Sequence, residues 1–279
     1  MIKLNRENES HKEDRKNPGG PQVWEGHPHR YPILFVILIG ILMFVVDAVV
    51  VSIALPTMTT YFHASVALTQ WIITAYLVSI TSLLLICGRI SEYTGRSRMF
   101  LVGIILFTIS SLGCGISSSL SMLILFRILQ AAGGAMAFSI SAALIFQTFP
   151  KGELGRAMGY IGSTIAVGSI AGPVLGGYVV DLLGWQYIFL INVPIGITLL
   201  LLAMRYLKID EIRRERLEMD WIGAGTMIFF MVALMLFMGE LASHISLGLR
   251  TAAYALMFFG GFSAFIANER IHRRPLLDL

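Results

Sequence analysis

The chain has 279 residues, of which 56% are hydrophobic and only 14% are charged. A soluble domain carries about a quarter charged residues, so this composition excludes an ordinary soluble protein and indicates a polytopic protein of the lipid bilayer. The net charge of +4 does not indicate a nucleic-acid partner, because the basic residues are concentrated in connections on one side of the predicted membrane helices.

The first apolar run contains a single acid. Residues 1–31 before it are polar and lack the apolar core of a cleavable signal, so we predict a disordered cytoplasmic tail. The run 32–56 is apolar except for Asp47 and exceeds the roughly 20 residues that cross a bilayer as a helix. A carboxyl group inside such a helix costs about 2.5–3.5 kcal/mol and should face a protein interior or a watery cavity. Asp47 is therefore a candidate functional residue.

Seven further apolar runs predict an all-α membrane protein with eight transmembrane helices. They are residues 66–87, 99–117, 121–148, 157–181, 186–204, 220–240 and 250–268. All but two of the 21 lysines and arginines lie in the tail and in alternate connections. The positive-inside rule therefore places both termini in the cytoplasm of a multi-pass cell-membrane protein.

Arg127 is the one cation that the sequence predicts inside a span. Its predicted depth agrees with that of Asp47 within roughly 3 Å, so the two side chains can pair. Two interpretations remain open: a fixed ion pair that joins two helices, or a pair that couples transport to protons or substrate. Gln130 lies three residues later on the same helix face and can hydrogen-bond in the same cavity.

Residues 88–98, GRISEYTGRSR, join the second and third spans and hold three arginines, one glutamate and two glycines. One interpretation is an ordinary basic loop. The other is a gate, in which Glu92 and the arginines form ion pairs or cap helix ends, and these contacts break when two helix bundles separate.

The fifth span carries Gly168, Gly172 and Gly176 at four-residue intervals, beside Pro173 and Gly177. Small residues at this spacing allow another helix to approach closely. Because Pro173 has no N–H to donate to the preceding turn, we also predict a bend there.

Together these motifs resemble the major facilitator superfamily, and within it the fourteen-helix drug:proton antiporter branch of the EmrB/QacA type. VDAVVVSIALP, residues 46–56, resembles the first-helix motif, with Asp47 as its embedded acid. RILQAAGGA, residues 127–135, resembles the fourth-helix motif, whose arginine is associated with proton coupling. GSIAGPVLGG, residues 168–177, resembles the fifth-helix signature that is typical of exporters.

Two further segments resemble this branch with substitutions. Residues 88–98 match the loop signature at Gly88, Gly95, Arg96 and Arg98, but Glu92 and Tyr93 stand where aspartate and arginine are usual. GWQYIFLINVPIG, residues 184–196, resembles a sixth-helix segment of this branch, although Gln186 and Tyr187 replace the usual arginine and tryptophan.

The resemblance implies a six-helix bundle over residues 32–206, a cytoplasmic link at 207–219 and two additional helices at 220–268. The remaining residues 269–279 resemble the lead into a further helix, so we expect an interrupted chain whose C-terminal bundle is absent.

The implied function is export of hydrophobic or cationic small molecules in exchange for protons, with Asp47 and Arg127 in coupling. No cofactor or metal is expected beyond the proton gradient. The side chains that we expect in a permissive cavity are those of Met43, Trp71, Tyr76 and Gln130.

Three alternatives stay open at this point. The chain can export one specific metabolite, or it can be a non-transporting fragment or half-transporter that needs a second chain. An intramembrane enzyme is the least favoured, because His63 and His244 both fall in outer connections and no HExxH or nucleophile-elbow motif is present.

Overall fold

The computed structural model describes residues 26–207, 220–243 and 248–271. This part of the chain contains eight helical spans that are long and apolar enough to cross a membrane, which confirms the predicted number and the all-α class. We call them the first to the eighth span: Arg30–Tyr61, Val66–Thr94, Arg96–Gly115, Leu120–Thr148, Leu154–Leu183, Tyr187–Tyr206, Trp221–Leu241 and Leu249–Arg270.

The first span is longer than predicted at both ends. It continues through Pro56 to Tyr61, because a proline inside a helix removes one N–H donor without ending the helix when the neighbouring bonds persist. At its start, Arg30 is already helical, two residues before the predicted start of the apolar run at residue 32. Residues 1–25 of that tail lie outside the described part.

Residues 26–31 contact the connection between the fourth and fifth spans. The backbone N–H of His27 donates to the carbonyl of Thr148 at 2.8 Å. The Arg30 guanidinium donates to both carboxylate oxygens of Glu153, at 3.1 and 3.3 Å, and the Tyr31 hydroxyl donates to the same carboxylate at 3.2 Å. The start of the first span is thereby attached to its neighbours.

The prediction of a loop at residues 88–98 is wrong except at one position. The second span runs to Thr94 and the third begins at Arg96, so Gly95 alone connects them. Its φ of +96° is a conformation that glycine adopts without a steric penalty. Charged residues suggested a loop because they are rare in membrane helices, but charge does not end a helix that extends past the apolar core.

Two spans contain a break. The second span is interrupted at Gln70, between a four-residue turn and the helix Trp71–Thr94. The sixth is interrupted at Ile191, between the turn Tyr187–Leu190 and the helix Asn192–Tyr206. Pro194 lies in the first turn of that helix, where a missing N–H is tolerated.

The first six spans pack around one interior. The fourth span packs against the second and third, the first against the fifth, and the sixth against the third and first. The seventh and eighth spans pack on each other, and Ala224 of the seventh contacts Ile86 of the second. The predicted link at 207–219 and the end of the chain at 272–279 lie outside the described residues, apart from Leu207.

The glycines of the fifth span lie against valines of the first span. A Cβ atom added to Gly176 would lie 2.7 Å from Cγ1 of Val50, and one added to Gly168 would lie 3.0 Å from Cγ1 of Val45. Gly177, by contrast, has no other atom within 4 Å of such a Cβ. Pro173 lies within the helix Leu154–Leu183, which is continuous.

Candidate functional site

Asp47 and Arg127 form an ion pair in the interior of the first six spans. Arg127 Nη1 lies 2.7 Å from Asp47 Oδ2, and the two residues are 0% and 2% exposed. Burying two charges costs several kcal/mol per ion, which their attraction offsets only when further hydrogen bonds complete the site. The surrounding side chains supply these bonds.

The second oxygen of Asp47 accepts two amide hydrogen bonds. Gln130 Nε2 donates to Oδ1 at 3.0 Å from the fourth span, and Asn192 Nδ2 donates at 2.8 Å from the sixth. Every group that contacts the carboxyl oxygens in this way is a donor. The arrangement therefore suits the ionised carboxylate.

Gln130 is fixed in one orientation. Its Oε1 accepts from Arg127 Nη1 at 2.6 Å, and its Nε2 also donates to the Ser111 hydroxyl at 2.7 Å. A turned amide would place an N–H group against the guanidinium, which has only donors. Arg127 and Gln130 can act together because residues three apart share a helix face, as predicted from their spacing.

The guanidinium of Arg127 lies close to two aromatic rings. Its Cζ is 3.9 Å from the centroid of the Tyr76 ring and 5.6 Å from that of Phe189. Nε donates to the carbonyl of Ile72 at 3.4 Å. A desolvated cation–π contact contributes about 2 kcal/mol. The two rings therefore stabilise the buried cation, whereas lipid chains would not stabilise it.

An apolar cavity of about 230 Å³ lies beside the ion pair, between the first, fifth and sixth spans. Asp47 and Asn192 are the polar residues in its wall. The other lining residues are Ile39, Leu42, Met43, Val46, Val50, Leu175, Gly176, Val179, Ile188, Ile191 and Ile195.

The four residues that were predicted to line one cavity lie at different places in the structure. Met43 lines the cavity. Tyr76 and Gln130 belong to the ion pair instead, because their side chains contact Arg127. Trp71 lies at the start of its helix and is 39% exposed, outside the cavity wall, so its prediction is wrong for this cavity.

The proposed gate residues lie at the basic end of the bundle, which we define by Arg89, Arg96 and Arg98. Glu92 pairs with Arg89 at 3.8 Å within one helix. A half-exposed pair of this kind contributes about 0.3–0.5 kcal/mol. Gly88 has no other atom within 4 Å of an added Cβ, and the Arg98 side chain is exposed. The role as a gate stays a prediction.

Asn192 and Ser111 were not predicted from the sequence as site residues. Asn192 is the first residue of its helix, directly after the break at Ile191, and this position directs its amide toward Asp47. An uncharged amide inside an apolar run was the available signal, because it also requires a hydrogen-bond partner in a membrane.

A bundle of apolar helices around a buried acid and base defines an integral membrane protein with a charged interior site. The chain matches the Major Facilitator Superfamily over residues 37–277. It belongs to this superfamily, whose members are transporters rather than enzymes as a rule.

Two relatives and one solved structure agree with this assignment. The chain is 33% identical to the riboflavin transporter RibZ of Clostridioides difficile, over 68% of this chain and 42% of that protein. It is also 33% identical to the multidrug export protein EmrB of Escherichia coli, over 67% of this chain and 36% of that protein. The predicted resemblance to the EmrB type is thus confirmed. The chain spans less than half the length of these two relatives.

The crystal structure of a D-xylose-proton symporter shares the fold. It has a TM-score of 0.54 and 17% sequence identity, over 83% of this chain and 66% of that one. At this identity the likeness shows the helical arrangement alone.

Proposed function

We propose that this chain is part of an exporter that moves hydrophobic or cationic small molecules out of the cell in exchange for protons. The observation that carries the proposal is the buried pair of Asp47 and Arg127, held by donors from the fourth and sixth spans. Intramembrane acids and bases mark ion and substrate pathways. The multidrug export named for EmrB supports the same class of substrate.

In this proposal Asp47 binds and releases the proton. Protonation removes the attraction between the carboxylate and the guanidinium, while Arg127 keeps its contacts with Tyr76 and Phe189. A cationic substrate and a proton would then compete for one carboxylate. Because only one of them binds at a time, the substrate leaves the cell as the proton enters. The energy source is the proton gradient and no cofactor takes part.

The substrate can instead be one specific metabolite. The observation that favours this second candidate is the similarity to RibZ, a riboflavin transporter. The cavity wall is compatible with a hydrophobic or cationic compound and with a specific metabolite, because it is apolar except for Asp47 and Asn192.

We also propose that transport requires a second helical bundle, either in the same polypeptide or in a separate chain. Alternating access in such folds comes from the movement of one bundle or repeat against another around a central site. The described residues form one such bundle and an additional pair of spans. We further propose that both termini face the cytoplasm and that the membrane is the cell membrane.

The test is proton-driven efflux with Asp47→Asn. The amide has nearly the same shape but carries no titratable proton, so we expect loss of efflux driven by a pH gradient. The assay uses inside-out vesicles, a fluorescent cation and riboflavin, with this chain alone and together with a chain that supplies six further helices from a relative.

Asp181→Asn is the matched control, because Asp181 is an exposed acid on the fifth span. It should transport normally. Gradient-driven efflux by Asp47→Asn at the level of this control would disprove the coupling role. Efflux by this chain alone as a monomer would disprove the need for a second bundle, and export of riboflavin but no cation would favour the metabolite candidate.

A further inference from the structure

The Asn192 side chain belongs both to the hydrogen bonds around the ion pair and to the wall of the apolar cavity, which Asp47 also lines. Its Nδ2 donates to Asp47 Oδ1 at 2.8 Å, and the same residue lines the cavity between the first, fifth and sixth spans. Asn192 is only 3% exposed, and its side chain has no other hydrogen-bond partner among the described residues. The ion pair and the cavity therefore meet at the Asp47 carboxyl and at the Asn192 amide that donates to it.

We propose that Asn192 is a positioning residue that transmits the protonation of Asp47 to the sixth span, and thereby changes the cavity between the first, fifth and sixth spans. This inference rests on the proposed proton coupling, because it assumes that Asp47 binds a proton in the membrane.

The proton binds to Oδ1 of Asp47 rather than to Oδ2. Oδ2 contacts Arg127 Nη1 at 2.7 Å, and a fixed cation at that distance opposes a second positive charge on the same oxygen. Oδ1 is bound only by the two neutral amides of Gln130 and Asn192. A hydronium ion transfers its proton to Oδ1. An O–H bond forms there, water is released and the carboxyl becomes neutral.

Of the two amides on Oδ1, only that of Asn192 is free to respond. Gln130 is held by Arg127 on its oxygen and by Ser111 on its nitrogen, so turning its amide would lose the bond from Arg127 and place an N–H group against the guanidinium. Asn192 can turn so that its own side-chain oxygen accepts the new O–H, or it can withdraw. An amide that keeps its N–H group against the protonated oxygen retains only a weaker hydrogen bond, because that oxygen no longer carries a negative charge.

The break at Ile191 allows this change to reach the cavity. Asn192 begins the helix Asn192–Tyr206, directly after the short turn Tyr187–Leu190. Ile188, Ile191 and Ile195 lie on either side of the amide and all line the cavity. A shift of Asn192 toward or away from Asp47 therefore moves cavity-lining side chains.

Among the residues that the structure describes, three other titratable groups lie close to Asp47. They are Arg127 of the fourth span, Tyr76 of the second span and Cys114 of the third span, whose thiol lies 3.8 Å from Gln130 Oε1. The residues that the fifth and sixth spans place on the cavity are all uncharged. A pH-dependent change at the cavity wall is thus attributable to the group of residues around Asp47.

A nitroxide spin label at Ile195→Cys tests the inference in the 279-residue chain. The label is attached in a Cys87→Ala, Cys114→Ala background, and its mobility is measured by EPR in lipid nanodiscs from acid to alkaline pH. The reference is Ile197→Cys, on the same helix but outside the cavity wall. We expect a one-proton transition in mobility at position 195 and none at 197, with loss of the transition in Asp47→Asn.

The decisive variant is Asn192→Leu, which keeps the approximate volume of the side chain but cannot hydrogen-bond. It should lose the transition, whereas Asn192→Gln, which restores an amide, should regain it. An unchanged spectrum at position 197 shows that each variant is folded. A transition that persists in Asn192→Leu, or no transition with Asn192 present, would overturn the inference. The readout needs no transport, so its failure is distinct from normal efflux by Asp47→Asn.

Discussion

Arg127 is stabilised by hydrogen bonds along its edge and by contacts with two aromatic rings. Nη1 bonds to Asp47 and Gln130, and the aromatic rings of Tyr76 and Phe189 lie over the guanidinium. Nη2, however, has no hydrogen-bond acceptor among the described residues. The positive charge of Arg127 is therefore neutralised by the Asp47 carboxylate. Loss of either charge leaves the other buried without its counter-ion.

We predict that Arg127→Leu lowers the free energy of unfolding by on the order of 3 kcal/mol, because it leaves the Asp47 carboxylate buried without its cation. Asp47→Asn in the same chain should recover most of this loss, since the remaining amide is neutral. Chemical unfolding in detergent micelles measures both values.

Arg98→Leu is the control for this cycle, because Arg98 is exposed at the basic end and its loss should change stability by less than about 0.5 kcal/mol. Equal stability of Arg127→Leu and the double variant would show that the two charges are not coupled.

The two charged residues of the site were predictable from the sequence, but its amides were predictable only in part. Asp47 and Arg127 stand out because a charge in an apolar run requires a partner. Gln130 followed from its spacing to Arg127. Asn192 lies far from both in sequence and carries no charge, so its contact with Asp47 depends on how the sixth span packs, which periodicity does not specify.

At the scale of helices, the contact between the first and fifth spans depends on the absence of side chains. Gly168, Gly172 and Gly176 each lie where an added Cβ would come within 3.4 Å of a valine of the first span. Without a hydrophobic driving force between helices in lipid, such close packing is a main source of association. This contact also forms one wall of the cavity, which Gly176 and Val50 both line.

We predict that Gly176→Val destabilises the bundle by about 1–3 kcal/mol, because the new side chain overlaps Val50. Val50→Ala in the same chain should restore part of the loss. Thermal unfolding in detergent measures the effect.

The neighbouring change Gly177→Val is the control, since no other atom lies within 4 Å of that position. Equal destabilisation by the two changes would argue against close packing of these spans.

The sequence predicted the number of spans better than their ends. Eight apolar runs were clear because each has at least the roughly 17 residues that a transmembrane helix needs. Residues 88–94 were assigned to a loop because of their charges, whereas the helix in fact ends where Gly95 takes a positive φ. Backbone conformation at a single glycine leaves no periodic signal in the sequence.

At the scale of the whole molecule, the positive-inside rule assigns the basic end to the cytoplasm. Arg98 lies at that end and Ser118 follows the third span at the other, and both are exposed. We predict that Ser118→Cys reacts with an impermeant maleimide added to intact cells, whereas Arg98→Cys reacts only in inside-out vesicles. Both substitutions are made in a Cys87→Ala, Cys114→Ala background. Labelling of both positions from one side would contradict the assigned topology.

The single-residue connection at Gly95 limits how motion can pass between the second and third spans. Consecutive Cα atoms are about 3.8 Å apart, so Thr94 and Arg96 cannot separate by more than two such steps. Because a single residue joins the two helices, a tilt of one helix displaces the end of the other. The third span also packs against the fourth, which carries Arg127. A displacement of Arg96 or Arg98 therefore moves the third span, which packs against the fourth span and its buried cation.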